Sequence, residues 1–511
     1  MAESIQIRWH RWLDHMNIEP EEWHQQEMED RLADLRELRF LLNGVKGRLN
    51  QFREAYPDDR FEQELSEVYE RQLSRIERTL SKYEKDIQTC DLVAFLELKY
   101  AIRKSYKQIG SLLAASDWPS PCISLGDSVS GEAAESGYGQ LEEGTYQRSY
   151  GSERVKQHER AVQKAFFPVP PGSQHNVLCF AASSGMKALE LALAVSKSSS
   201  GSLPQYYQAG FYGEGVELAK VLLGNPVEMH PDEIYRRIES NERIGGLMVD
   251  PGACWPVHLP IDLERLMRGL HRHQQDDSLY VIVDRTFTTI TNPLFENYLD
   301  KLPEHVVLII VESGIKYLQY GLELSNVGYV AAAGQRIGRP EERERWIEHL
   351  AILDAGADPM AICQLPEPDL HYYSLRLDRL NRNAYWVRSF LDYLCEEGLI
   401  LSYYSAITPS PQFKIMGKPW AGSVFYIRLK EGKVSETECL EWINELVASA
   451  PDQEHFVSGG SFGFDSFRLN AVNDDQGMGT ALRLSVGREP FQQLMAKLRF
   501  LHQYLIKVPP N

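Results

Sequence analysis

Apolar residues recur at steps of three and four through the first hundred positions, and then the rhythm changes. Met28, Leu32, Leu35, Leu38, Leu42, Val45, Leu49 and Phe52 form one stripe. Leu65, Val68, Ile76, Leu80, Tyr83 and Ile87 form a second, and a third runs from Leu92 to Leu113. Charges fill the gaps, and Pro57-Asp58-Asp59 breaks the first stripe from the second. This period predicts amphipathic helices packed as an antiparallel hairpin or bundle. The expected role is packing or oligomerisation, with a partner-binding module as the alternative; the stretch contains no catalytic cluster.

Gly, Ser and Pro dominate residues 114 to 145, which reads as loop and a domain boundary. From about residue 150, short apolar runs alternate with amphipathic ones. "NVLCFAAS", "QYYQAGFYG", "GGLMVDPG", "SLYVIVDRTF" and "HVVLIIVESG" read as strands, the second of these being a strand and turn. "SGMKALELALAVS", "GEGVELAKVLLG" and "DLERLMRGLHRH" read as the helices between them. Near-continuous apolar strands separated by helices predict a mostly parallel α/β sheet covered on both faces. A helix over roughly 374 to 398 is long enough to bridge two domains. "GSVFYIRL", "SETECLEWINELVAS" and "ALRLSVG" then predict a smaller α+β domain. The expected division is a helical extension over 1–115, a large α/β domain over 116–380 and a small α+β domain over 381–511. No internal repeat is visible.

A length of 511 residues calls for two or three domains, and 43% hydrophobic residues supply a sizeable core. No apolar run is long enough for a transmembrane helix. The first residues, "MAESIQIRWHRWLDHMN", carry no continuous apolar region, so a signal peptide is not expected. Seven scattered cysteines, never in a C-x-x-C pair, fit a reducing, cytoplasmic setting and argue against a zinc site. Charges sum to 54 − 72 = −18, which opposes nucleic-acid or membrane binding as a main task.

Ligands of open α/β sheets bind beyond the carboxyl ends of the strands. At those ends stand four candidates. Ser184-Gly185-Met186 opens a helix after the first strand, where backbone N–H groups suit a phosphate; an ordinary N-cap reads the same way. Asp284 ends a strand, where it either caps a turn or faces a buried cation. Lys316 follows "VVLIIVES"; an amine desolvated there loses proton affinity and becomes a nucleophile, with Ser313 three residues earlier able to share its ligand. Arg483 lies inside an alternating strand, where a guanidinium either snorkels from an edge or grips a carboxylate bidentately.

Phosphate cradle, carboxylate, amine and carboxylate-binding arginine are the parts that pyridoxal 5′-phosphate (PLP) and an amino-acid substrate require. From about residue 120 onward the sequence resembles the fold-type I PLP enzymes of cysteine and methionine metabolism, the cystathionine γ-synthase and methionine γ-lyase family. "YQR" at 146–148 resembles its Tyr-x-Arg, implying that Tyr146 and Arg148 reach the cofactor of a neighbouring subunit. "SSGMKAL" resembles its phosphate loop, and Tyr212-Gly213 its Tyr-Gly, whose ring stacks on the cofactor. "VIVDRTF" resembles Val-Asp-Asn-Thr-Phe, which makes Asp284 the partner of the ring nitrogen. "SGIKY" resembles Ser-x-Thr-Lys-Tyr, which makes Lys316 the Schiff-base lysine and Ser313 a phosphate ligand. "GGSFG" resembles Ser-Leu-Gly, placing Ser461 near the substrate carboxylate. "LRLSVGRE" is similar to Arg-Leu-Ser-Val-Gly-x-Glu, making Arg483 its anchor.

The resemblance implies the PLP-dependent transferase fold of the aspartate aminotransferase type, with a seven-stranded sheet. It also implies a homodimer or homotetramer and an amino-acid substrate. The implied reaction is γ- or β-elimination or replacement on a homoserine- or cysteine-derived amino acid. Transamination, decarboxylation or carbon–carbon bond formation are alternatives on the same fold, and a non-catalytic assembly partner is another. Departures are Ile315 beside the lysine, Arg285 in place of asparagine, and loss of the Gly-His-Ser-Asp that normally follows the lysine. The family's Asn-Pro-Thr is absent from "YQRSYGS", and the helical extension has no counterpart. Retained cofactor motifs with altered surroundings suggest a specialised biosynthetic enzyme. Arg285 reads as a surface ion pair or as a second anion contact for the substrate.

Overall fold

The computed structural model describes residues 12, 20–57, 59–115, 153–252, 259–429, 434–451, 456–473 and 479–507. Three long helices come first: α1 (Pro20–Ala55), α2 (Arg60–Lys85) and α3 (Leu92–Ala115). Asp59 caps α2 by accepting from the Phe61 and Glu62 amides, which fixes the turn at the Pro57 break. Leu38, Leu42, Val45, Leu49 and Phe52 are buried as the stripe requires, whereas Leu32 and Val68 remain exposed.

The main sheet contains β1 (Val177–Ala182), β2 (Gln205–Gln208), β3 (Val227–Met229), β4 (Gly246–Val249), β5 (Leu279–Asp284), β6 (Val306–Ser313) and β7 (Gly328–Ala333). Their order is β1-β7-β6-β5-β4-β2-β3, and only β7 runs against its neighbours. The mostly parallel seven-stranded α/β sheet expected from the sequence is present. β7 fills a central place that the apolar pattern did not reveal.

Side-chain alternation splits the sheet between two cores. Val281, Val283, Leu308 and Ile310 face α1–α3 and α4 (Glu153–Phe166). Ile282, Val307, Ile309 and Val311 face α5 (Gly185–Ser200) and the helix over Pro340–Ile352. The N-terminal helices therefore share one continuous core with the sheet. Each fully buried aliphatic side chain in it contributes roughly 1.5–3 kcal/mol.

The long helix α6 (Leu370–Glu396) runs from one hydrophobic core into another. Tyr373, Leu377 and Leu380 belong to the sheet's core, while Val387, Phe390 and Leu394 belong to a second. That second core backs a five-stranded sheet. It holds β8 (Ser402–Ser405), β11 (Val424–Arg428), β12 (Val457–Ser458), β13 (Arg468–Val472) and β14 (Ala481–Ser485), in the order β12-β13-β14-β11-β8. A two-stranded ribbon, β9 (Lys414–Ile415) and β10 (Lys418–Pro419), precedes β11. Among the described residues no helix is long and apolar enough to cross a membrane.

Candidate active site

The strand period decides which residues meet. Asp284 continues the parity of Tyr280 and Ile282, and Ser313 that of Ile309 and Val311, so both lie on the α5 side. Arg285 and Glu312 point to the opposite face. There Arg285 donates to Glu312 Oε2 from Nε (2.8 Å) and Nη2 (2.7 Å), and to the Phe166 carbonyl from Nη1 (2.8 Å). Both side chains are 1% exposed. The expected ion pair exists, but it is buried beneath the sheet rather than on the surface.

Ser184 caps α5, accepting from the Lys187 amide at 3.0 Å. The amides of the first helical turn, Gly185 and Met186 among them, have no acceptor within the helix. A Cβ on Gly185 would stand 2.9 Å from the Ser313 Cβ, and one on Gly328 would overlap the Ser184 carbonyl and the Gly185 amide. Glycine at both positions lets the helix start press onto the ends of β6 and β7. Ser184, Gly185 and Ser313 are thereby brought side by side. Tyr212 stands at the start of the helix Gly213–Leu223, 39% exposed.

Lys316 follows the end of β6, and its Nζ donates to Ser461 Oγ at 2.9 Å. That bond joins the two domains. Burial lowers the amine's proton affinity, and the Arg483 and Arg468 guanidiniums lower it further against Glu323 and Glu214. The outcome is a pKa of about 8. Phe462 places its ring 5.3 Å from the same nitrogen. Arg483, opposite Tyr426 and Asn470 in the small sheet, donates to the Gly460 carbonyl. Its Nε is buried without a hydrogen-bond partner among the described residues.

Asp284 accepts from the Thr286 amide at 2.9 Å, and Thr286 Oγ1 accepts from the Ser313 amide at 3.1 Å. Burial pushes the Asp284 carboxyl up, opposed by Thr286. Among the described residues no cation lies within ion-pair reach of it. Asp250, at the tip of the adjacent β4, was missed by the sequence reading. It is 2% exposed and held well above the usual carboxylate range by burial and by Asp284. The argument that singled out Asp284, a carboxylate at a strand's carboxyl end, would have found Asp250 in "GGLMVDPG". Tyr146 and Arg148 lie outside the described residues.

No family model and no curated protein matches the sequence. Among solved structures the chain is similar to cystathionine gamma-lyase from yeast, at 15% identity and a TM-score of 0.48 over 69% of this chain and 86% of that one. It is similar to CalE6, a methionine gamma lyase from Micromonospora echinospora, at 16% identity and a TM-score of 0.47 over 69% and 85%. An aminotransferase from Anaerococcus prevotii matches at 13% identity and a TM-score of 0.42 over 68% and 80%.

Proposed function

We propose that this chain is a PLP-dependent enzyme that acts on an amino acid by removing its Cα proton. The observation that carries the reading is the Asp284 carboxyl, half-buried at the end of β5 with no cation in reach among the described residues, beside the strand β6 whose end leads to a lysine that is half neutral near pH 8. A protonated pyridine would supply the missing charge. Ser184, Gly185, Met186 and Ser313 would hold the phosphate, Tyr212 would stack on the ring, and Tyr146 and Arg148 would come from a second subunit of a cytoplasmic homodimer or homotetramer.

PLP supplies an aldehyde for amines and a ring that withdraws electrons from Cα. The chain's own groups do the rest. Arg483 orients the substrate carboxylate through its unsatisfied donor. Lys316, its proton affinity already reduced, takes the Cα proton as general base. Asp284 would place a negative charge where a pyridinium nitrogen needs one, and Tyr212 would be available to give a proton to a leaving group. The favoured substrate is a homoserine- or cysteine-derived amino acid that undergoes γ- or β-elimination or replacement.

Full-length protein incubated with PLP, reduced with borohydride and digested should carry a pyridoxyl group on the Lys316 peptide, and Lys316→Ala should carry none. Absence of that adduct in the wild type sinks the reading. Production of an α-keto acid with ammonia then marks elimination, whereas conversion of the protein to a pyridoxamine form marks transamination.

A further inference from the structure

The segment after Lys316 holds a costly backbone. Tyr320 (φ 53°), Gly321 (φ 72°) and Glu323 (φ 49°) all lie in the left-handed region, two of them with side chains. For the two residues with side chains such conformations are strained and persist only where surroundings impose them. Gln319 imposes part of the shape: its Oε1 accepts from the Leu324 (2.7 Å) and Ser325 (3.1 Å) amides, and its Nε2 donates to the Ser325 carbonyl (2.6 Å).

The rest comes from the N-terminal helices. Arg103 on α3 donates from Nε to the Leu322 carbonyl (2.6 Å) and from Nη2 to the Glu323 carbonyl (2.9 Å). A planar fork spanning consecutive carbonyls fixes their relative orientation. Four residues earlier on the same helix, Lys99 Nζ reaches Glu37 Oε1 (2.5 Å) and Asp465 Oδ2 (2.8 Å). Arg376 joins Asp465 Oδ1 (2.7 Å) to the Gly463 carbonyl (3.0 Å). A Cβ on Gly321 would meet Arg376 and come within 3.0 Å of Asp465. Helix α3 thus grips the chain on both sides of the Lys316–Ser461 bond.

We infer that Arg103 is a positioning residue for Lys316: its grip on the Leu322 and Glu323 carbonyls holds the lysine's segment in the strained shape that keeps the amine packed beneath Ser461 and Phe462. The inference rests on the reading of Lys316 as the reactive amine. It gives the helical extension a part in the chemistry beyond packing. Loss of the grip relaxes the segment, admits water to the amine and returns it toward ordinary lysine behaviour. The charged groups facing that amine are Arg483, Arg468, Glu323 and Glu214, and Arg103 acts on it through backbone geometry.

The test uses the full chain without PLP. Trace acetic anhydride labels Lys316 at a series of pH values, and mass spectrometry of its peptide gives the titration midpoint. The wild type should titrate near about 8. Arg103→Gln should raise the midpoint by about one pH unit. Arg103→Lys, which keeps the charge and at most one of the two bonds, should raise it by less, and it serves if Arg103→Gln does not fold. Arg71→Gln, on an exposed stretch of α2, should leave it unchanged. An unmoved midpoint in both Arg103 variants, with only the melting temperature lowered, overturns the inference. The readout is independent of cofactor: a missing pyridoxyl adduct would end the PLP reading, yet a shifted midpoint would still establish the grip.

Discussion

Arg483 shows how one buried donor sets a chemical demand. Its Nη2 is occupied by the Gly460 carbonyl, while its Nε has no partner among the described residues. An unmet buried donor costs about 1–3 kcal/mol, which a ligand carboxylate recovers on binding. Arg483→Lys removes the fork and keeps the charge. It should raise KM for the amino-acid substrate about 10- to 100-fold with a smaller change in kcat, measured by steady-state kinetics. Lys316, Asp284, Ser313 and Arg483 stood out in the sequence because of their places in strands or at strand ends, and the structure puts them in those places. Asp250 obeys the same rule and was overlooked. Arg103 was not readable: an arginine on a polar helix position looks the same whether it meets water or two carbonyls 219 and 220 residues away.

Elements were legible to the degree that their composition matched their period. The strands β1, β4, β5 and β6 are rich in apolar residues and lie within three residues of their expected places. β7 reads "GYVAAA", and alanine has little preference for strands, so no local signal marked it. It is placed by its neighbours instead, buried along its whole length between β1 and β6. Its first residue, Gly328, faces Ser313 in register and underlies the start of α5. Gly328→Ala should therefore push backbone against backbone. We expect a loss of about 1–3 kcal/mol in stability, read as a lowered melting temperature. PLP affinity should fall with it, because the displaced atoms belong to Ser184 and Gly185.

At the scale of the whole molecule, a chain of buried ions joins helices, sheet and small domain. Asp30, Asp34 and Glu37 on α1 face Arg379, Arg376 and Arg488, with Lys99 and Asp465 closing the cluster, and none of these side chains is more than 6% exposed. Burial pushes the Asp465 carboxyl up, but Arg376, Lys99 and Arg488 outweigh it and keep it ionised. Removing one member leaves an uncompensated buried charge. Lys99→Met should destabilise the protein by about 3–5 kcal/mol in denaturant titrations. The helical stripes foretold the extension's fold, but no pattern foretold these pairings, since they are settled by tertiary contact alone. They also impose an order on biosynthesis. Asp34 leaves the ribosome 454 residues ahead of Arg488, the partner it meets at 2.6 Å. Until Arg488 is made, Asp34 and Glu37 on α1 lack one of their counterions. The native seat of that helix is thus completed only once Arg488 has been made, and helices α1–α3, although synthesised well before it, are among the last pieces to lock.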